Sequence, residues 1–289
     1  MKGVIETELQ PICALNSIPN SIAHQEAINT LDSLALKAYC LAEPRGARGA
    51  SMSLRSTQID AIGKDFYRIS TTVPPDTIPG GFTFNQYLLV DDKPLLFHTG
   101  PRGLFIEVTK AIETVLPVRN LRYISFCHIE ADECGALNEF LAAAPLAEVL
   151  CSQIAAMTSI EDLADRRPRV LTDDEELSVG KHTVQWLDAP HVPHGWDNGF
   201  LFEKRTATLF CGDLFTQGGS EHEPLSDNIL ESSEQMRSAM DYFAHGSNTP
   251  PVLERLAALK PRLLACMHGS AYQGDGATLL RELANKLGA

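Results

Sequence analysis

The sequence predicts a mixed α/β protein with two β-rich halves. Three observations carry that prediction: apolar β-type runs between Pro/Gly or Asp-rich turns, amphipathic helical stretches between those runs, and no repeat of fixed period. The 289 residues, 44% hydrophobic and 21% charged, provide enough chain for one large domain or two small ones with a sizeable core.

Residues 1–60 stand apart as a poorly packed leader or linker, with scattered apolar residues and the stretch EPRGARGASMS. Translation starting at Met52 is one expectation for this segment. Residues 61–289 form the folded domain. The runs FYRIS (66–70), NQYLLV (85–90) and PLLFH (94–98) read as a β-meander. Leu104, Phe105, Val108, Ile112, Val115 and Leu116 then recur at helical spacing between Gly103 and Pro117. The strand YISFC (123–127), a helix near 135–143 and the strand AEVLC follow. VLTDDEELSVGKHTVQWLDAP reads as two strands joined by a turn. NGFLFE and TATLFC form a hairpin, and RLLACM (262–267) extends the sheet. Helices are expected at 229–243, at 250–259 with Thr249 as N-cap, and at 276–287, where Leu279, Leu280, Leu283 and Leu287 share a face.

Several functions are excluded by composition. A net charge of −13 with no basic run argues against nucleic acid. Seven cysteines without a C-x-x-C pair read as reduced thiols of a cytoplasmic protein. The N-terminus lacks the pattern of a secretory signal, and no run of about 18 apolar residues spans a membrane.

The chemistry concentrates after YISFC, in His128-Ile129-Glu130-Ala131-Asp132-Glu133-Cys134-Gly135. On the trailing end of a strand, positions 128, 130 and 132 would alternate onto one side, converging an imidazole and two carboxylates. Further candidates follow apolar strands: His191 and His194 in DAPHVPHGWDNG, Asp213 in LFCGDLF and His268 in CMHGS. A buried Asp213 would require a cation or hydrogen-bond donors, and a metal supplies the first. Cys127 and Cys134 read as small packing residues, His98 as a core or loop histidine, and Trp196 and Phe215 as walls beside the site.

These residues resemble the metallo-β-lactamase fold superfamily, in particular its di-iron branch of flavodiiron and oxygen-binding di-iron proteins, over about residues 65–270. That branch carries H-x-E-x-D, a His before x-Pro, an Asp after a strand and a final His. Here these correspond to His128, Glu130 and Asp132, His191, Asp213 and His268, at intervals of 63, 22 and 55 residues. The resemblance implies an αββα sandwich with the site at one edge. It implies that His128, Glu130 and His191 hold one iron, Asp132 and His268 the other, and that Asp213 bridges. Asp213 and His194 are expected to take part in the chemistry itself.

Two departures follow. Glu133 stands where the branch has a histidine, so the second ion gains a carboxylate, borrows His194 or binds more weakly. The sequence also reaches Ala289 shortly after the final His, from which a chain lacking the branch's flavodoxin-like domain is expected. The implied function is therefore a non-haem two-iron protein that binds O2 or NO and reduces it with electrons from a flavodoxin- or rubredoxin-like donor, or senses it for a signalling partner. Association into a homo-oligomer is a further expectation. The alternative is a zinc hydrolase of thioesters, lactones or phosphoesters, in which the metals acidify a bridging water. Glu130 weighs against it, because an anionic oxygen in place of the hydrolases' histidine makes a weaker Lewis acid and suits iron.

Overall fold

The computed structural model describes residues 56–288. The leader over 1–55 and the start expected at Met52 lie outside the described residues. The described residues form one compact unit whose first strand begins at Ser56 and runs across residue 60.

Two seven-stranded sheets face each other. The first contains β1 (Ser56–Gly63), β2 (Phe66–Val73), β3 (Phe82–Leu89), β4 (Leu95–Phe97), β5 (Tyr123–Ser125), β6 (Glu148–Ser152) and β7 (Arg169–Leu171), in chain order. Strands β1 to β4 pair antiparallel, as short turns allow, and β4 to β7 pair parallel through helical crossovers. The second sheet holds β8 (Glu176–Ser178), β9 (Thr183–Asp188), β10 (Gly199–Glu203), β11 (Thr208–Gly212), β12 (Leu225–Ser226), β13 (Leu263–Cys266) and β14 (Ala271–Gln273). Its order is β12-β14-β13-β11-β10-β9-β8.

Period-two alternation divides the core. Tyr87, Leu89, Leu95 and Phe97 point toward the second sheet and pack with Trp186, Phe200 and Phe210. The intervening Leu88 and Leu96 point outward and pack with Phe105, Val108 and Ile112 of α1 (Phe105–Glu113) and Phe140 of α3 (Leu137–Ala143). On the second sheet's outer side, α5 (Thr249–Ala258) and α6 (Gly276–Leu287) bury Leu253, Leu256, Leu280 and Leu283. The result is the αββα sandwich implied by the resemblance. Two more helices are α2 (Ala131–Cys134), which carries Asp132 and Glu133, and α4 (Leu230–Ala239).

The sequence reading differs from the structure in four places. The segment over 169–188 forms three strands, because its first run closes one sheet and its second opens the other. The helix expected at 229–243 stops at Ala239. Thr249 is the first residue of α5, which has Asn248 as its cap position and no side-chain capping bond. Most consequentially, the acidic motif is not an extended strand end. Glu130 is extended at φ −135°, but Asp132 and Glu133 belong to the helical turn α2. Neighbours on a helix diverge by about 100°, so these two carboxylates point in different directions.

Candidate metal centre

The site lies where β5, β9, β11 and β13 end, on the loops that follow them. His128, Glu130, His194 and Asp213 each offer a ligand atom, and those atoms all lie within 4.8 Å of one another. His128 Nε2 is 3.4 Å from Glu130 Oε1 and 3.9 Å from Asp213 Oδ2. His194 Nε2 is 3.3 Å from Glu130 Oε1 and 3.6 Å from Asp213 Oδ2. On the other side of the Asp213 carboxylate, Oδ1 is 3.2 Å from His268 Nε2, which is 3.4 Å from Asp132 Oδ2.

The backbone prepares these positions. Asp213 opens a turn of 3-10 helix directly after Gly212, whose φ is +47°. A Cβ at Gly212 would lie 2.7 Å from Cys127 Sγ, so only glycine brings β11 this close to the motif loop. His268 is oriented by the Thr83 carbonyl, which is 2.7 Å from its Nδ1, and His194 by the Tyr242 carbonyl at 2.8 Å. Bonds from Nδ1–H to those carbonyls leave the Nε2 lone pair of each ring directed to the space beside Asp213, available to a metal ion.

His194, not His191, occupies the position that the resemblance assigned to His191. The His191 N–H donates to the Gly195 carbonyl at 2.7 Å, closing a tight turn in which His191 has φ +65° and Val192-Pro193 is cis. That turn reverses the chain between the two histidines. His191 is left exposed, while His194 enters the cluster.

Glu133 also departs from its expected place beside the second ion. Its side chain is fully buried behind His128: Oε2 accepts the His128 N–H at 2.7 Å, while Oε1 is 3.3 Å from His128 Nδ1 and 3.4 Å from His98 Nε2. Burial raises the Glu133 carboxyl to about 8, with His128 acting in the opposite direction. His98, with no motif around it, was not legible as part of this neighbourhood; its φ of +64° at the end of β4 is the structural sign. Phe215 is buried against the core, whereas Trp196 is 56% exposed. The five cysteines among the described residues are free.

Electrostatics favour a cation. Burial opposes charge on His128 and His268, yet the carboxylates around them, Glu133 first for His128 and Asp132 first for His268, raise each to about 10. Glu130 is lowered to about 2 by contact with His128 and His194. Asp213, although burial pushes it up, is held well below the usual carboxylate range by His268, His128 and His194. His128 Nε2 is buried without a hydrogen-bond partner. Carboxylates and imidazole nitrogens aimed at common points, one of them orphaned, form the donor set that borderline transition metals take. The residues therefore fit two ions sharing Asp213.

Residues 82–269 match the family described as ODP family beta lactamase. The chain belongs to this family. Among the relatives of this ODP-family chain is the rubredoxin-oxygen oxidoreductase of Megalodesulfovibrio gigas, 28% identical over 75% of this chain and 54% of that protein. Another is a nitric oxide reductase of Moorella thermoacetica, 27% identical over 57% of this chain and 41% of that protein. The chain thus spans about half the length of these curated relatives. A solved fragment of the putative diflavin flavoprotein A 5 of Nostoc sp. superimposes with a TM-score of 0.72 at 18% identity, over 82% of this chain and 97% of that one. That likeness establishes the metallo-β-lactamase-type fold. No helix among the described residues is long and apolar enough to cross a membrane.

Proposed function

We propose that this ODP-family chain is the two-iron module of an oxidoreductase that reduces O2 or NO with electrons from a separate rubredoxin- or flavodoxin-like donor. The observation carrying this reading is the Asp213 carboxylate: one oxygen faces His128 and His194, the other His268. In this reading His128, Glu130, His194 and Asp213 hold one iron, and Asp132, His268 and Asp213 hold the other. When bound, the iron pair supplies binding positions for the gas and the redox equivalents.

The protein supplies geometry and charge. Thr83 and Tyr242 carbonyls fix two imidazoles by their rear nitrogens, so neither ring turns when the charge at the site changes. Three carboxylates favour higher-valent iron more than a set of neutral nitrogens would. Half-exposed Glu130 lies at the solvent side of the cluster, whereas Asp213 is nearly closed off. The relatives named for oxygen and nitric oxide reduction support the substrate class.

The test uses the full chain, loaded with iron and reduced, with a rubredoxin-like donor. Consumption of NO or O2 coupled to donor oxidation, lost in Asp213→Asn, is expected. An iron-loaded protein that neither consumes either gas nor changes its optical spectrum on exposure would refute the proposal.

A further inference from the structure

The three inward-facing histidines are presented alike but backed differently. His194 and His268 rest their Nδ1 atoms on main-chain carbonyls. His128 rests on a side chain, with Nδ1 3.3 Å from Glu133 Oε1 and its own N–H donating to Oε2 of the same carboxylate. We propose that Glu133 is a positioning residue that holds the His128 ring for the first metal ion, leaving the second ion with fewer protein ligands and therefore the weaker affinity. This rests on reading the cluster as a two-ion centre.

The placement excludes Glu133 as a ligand of the second ion. The helical turn α2 directs Asp132 toward His268 and Glu133 in another direction, into the protein. The Glu133 side chain is fully buried, with the bond from the His128 N–H on one oxygen and two imidazoles facing the other. Neither ring nitrogen of His128 makes a hydrogen bond of ordinary geometry to protein. The ring therefore sits between the Glu133 carboxyl group, 3.3 Å behind its Nδ1, and the space that its Nε2 shares with Glu130 and Asp213 in front. A carboxylate behind a metal-binding imidazole fixes its tautomer and makes the outer nitrogen a stronger donor than a carbonyl does. His98, buried with its Nε2 3.4 Å from the same Oε1, closes the other side of that carboxyl group.

The consequence is an unequal pair of positions. His128, Glu130, His194 and Asp213 surround the first ion; Asp132, His268 and the shared Asp213 surround the second. Zinc, which needs no redox control, is the probe. Metal-free full-length chain, titrated with Zn2+ against a chelating dye, should take two ions with separable affinities. Glu133→Gln should weaken the tighter ion by about 10- to 100-fold and leave the weaker one within about twofold. Asp132→Asn should do the reverse.

Long-range 1H–15N NMR of the zinc-loaded wild-type chain gives a reading free of variants, and should find the His128 proton on Nδ1. The proposal is overturned if Glu133→Gln weakens the second ion instead, or if Nδ1 carries no proton. It is equally overturned by a third ion per chain, which would place metal among His98, Cys127 and Glu133. A wild-type chain that binds no ion defeats the metal-centre reading itself, whereas two ions with unaltered affinities in Glu133→Gln defeat only the role given to Glu133.

Discussion

Strands β9 and β10 join two buried clusters of the same residue types, one at each end. At one end, His182 lies 3.0 Å from Glu203 Oε1 and 3.4 Å from Asp65 Oδ2, and its N–H donates to Asp91 Oδ2 at 2.8 Å. At the other, His128 and His194 face Glu130 and Asp213. The difference lies in what else the carboxylates have. Glu203 accepts the Arg205 and Thr206 N–H groups at 2.8 Å each and the Thr206 hydroxyl, so it is satisfied within its own turn. Asp213 has one long hydroxyl contact, from Thr216 at 3.5 Å, and otherwise only imidazoles. Burial of a histidine with an acid does not by itself mark a functional site. An acid left without chain donors does, because burying it costs stability that only a ligand returns.

The comparison breaks most visibly at Asp213. Asp213→Asn should reduce bound metal from about two ions per chain to one or none, read by elemental analysis, because both positions share that carboxylate. Retention of both ions would show that Asp213 is not shared. Next in size is the pair of loop histidines. His194→Ala should weaken the tighter ion by more than the roughly 10- to 100-fold typical of losing an outer partner. His191→Ala should stay within about twofold of wild type in the same titration. If the two results are exchanged, the turn closed by His191 N–H has been read backwards.

Glu203→Ala probes the other cluster. Removing Glu203 leaves the Arg205 and Thr206 N–H groups without their acceptor, at about 1–3 kcal/mol for a buried donor left unsatisfied, so chemical denaturation should show a loss of that order while metal content stays unchanged. Loss of metal without loss of stability would erase the distinction between the two ends. The smallest expected effect is on selectivity. Glu130→His exchanges a hard anionic oxygen for a nitrogen and should raise the share of zinc over iron retained from a mixed supply, by about tenfold or less. An unchanged ratio would remove Glu130 from the argument for iron.

Much of this arrangement was legible in the sequence, for identifiable reasons. The continuous apolar run Tyr87-Leu88-Leu89 marked a strand, and Gly103 and Pro117 bracketed α1. The spacing of His128, Asp213 and His268 after apolar runs located the strand ends that converge. What could not be read depended on local chain reversal. Whether His191 or His194 enters the site is decided by the turn between His191 and Gly195, which leaves no periodic signal. Asp132 and Glu133 are adjacent acids, and only the helical turn separates a candidate ligand from the residue behind His128. His98 meets Glu133 across 35 positions of sequence, through the pairing of β4 with β5. The two- and three-residue strands β12 and β14 were too short for a pattern to appear.

The claim on which the rest depends is that the cluster around Asp213 is a two-iron centre. The most direct test is elemental analysis of the full chain produced in iron-rich, zinc-poor medium and purified without added metal. About two irons per chain is the predicted result, since zinc outcompetes ferrous iron only where it is available. About two zincs despite that supply, or no stoichiometric metal at all, would contradict it.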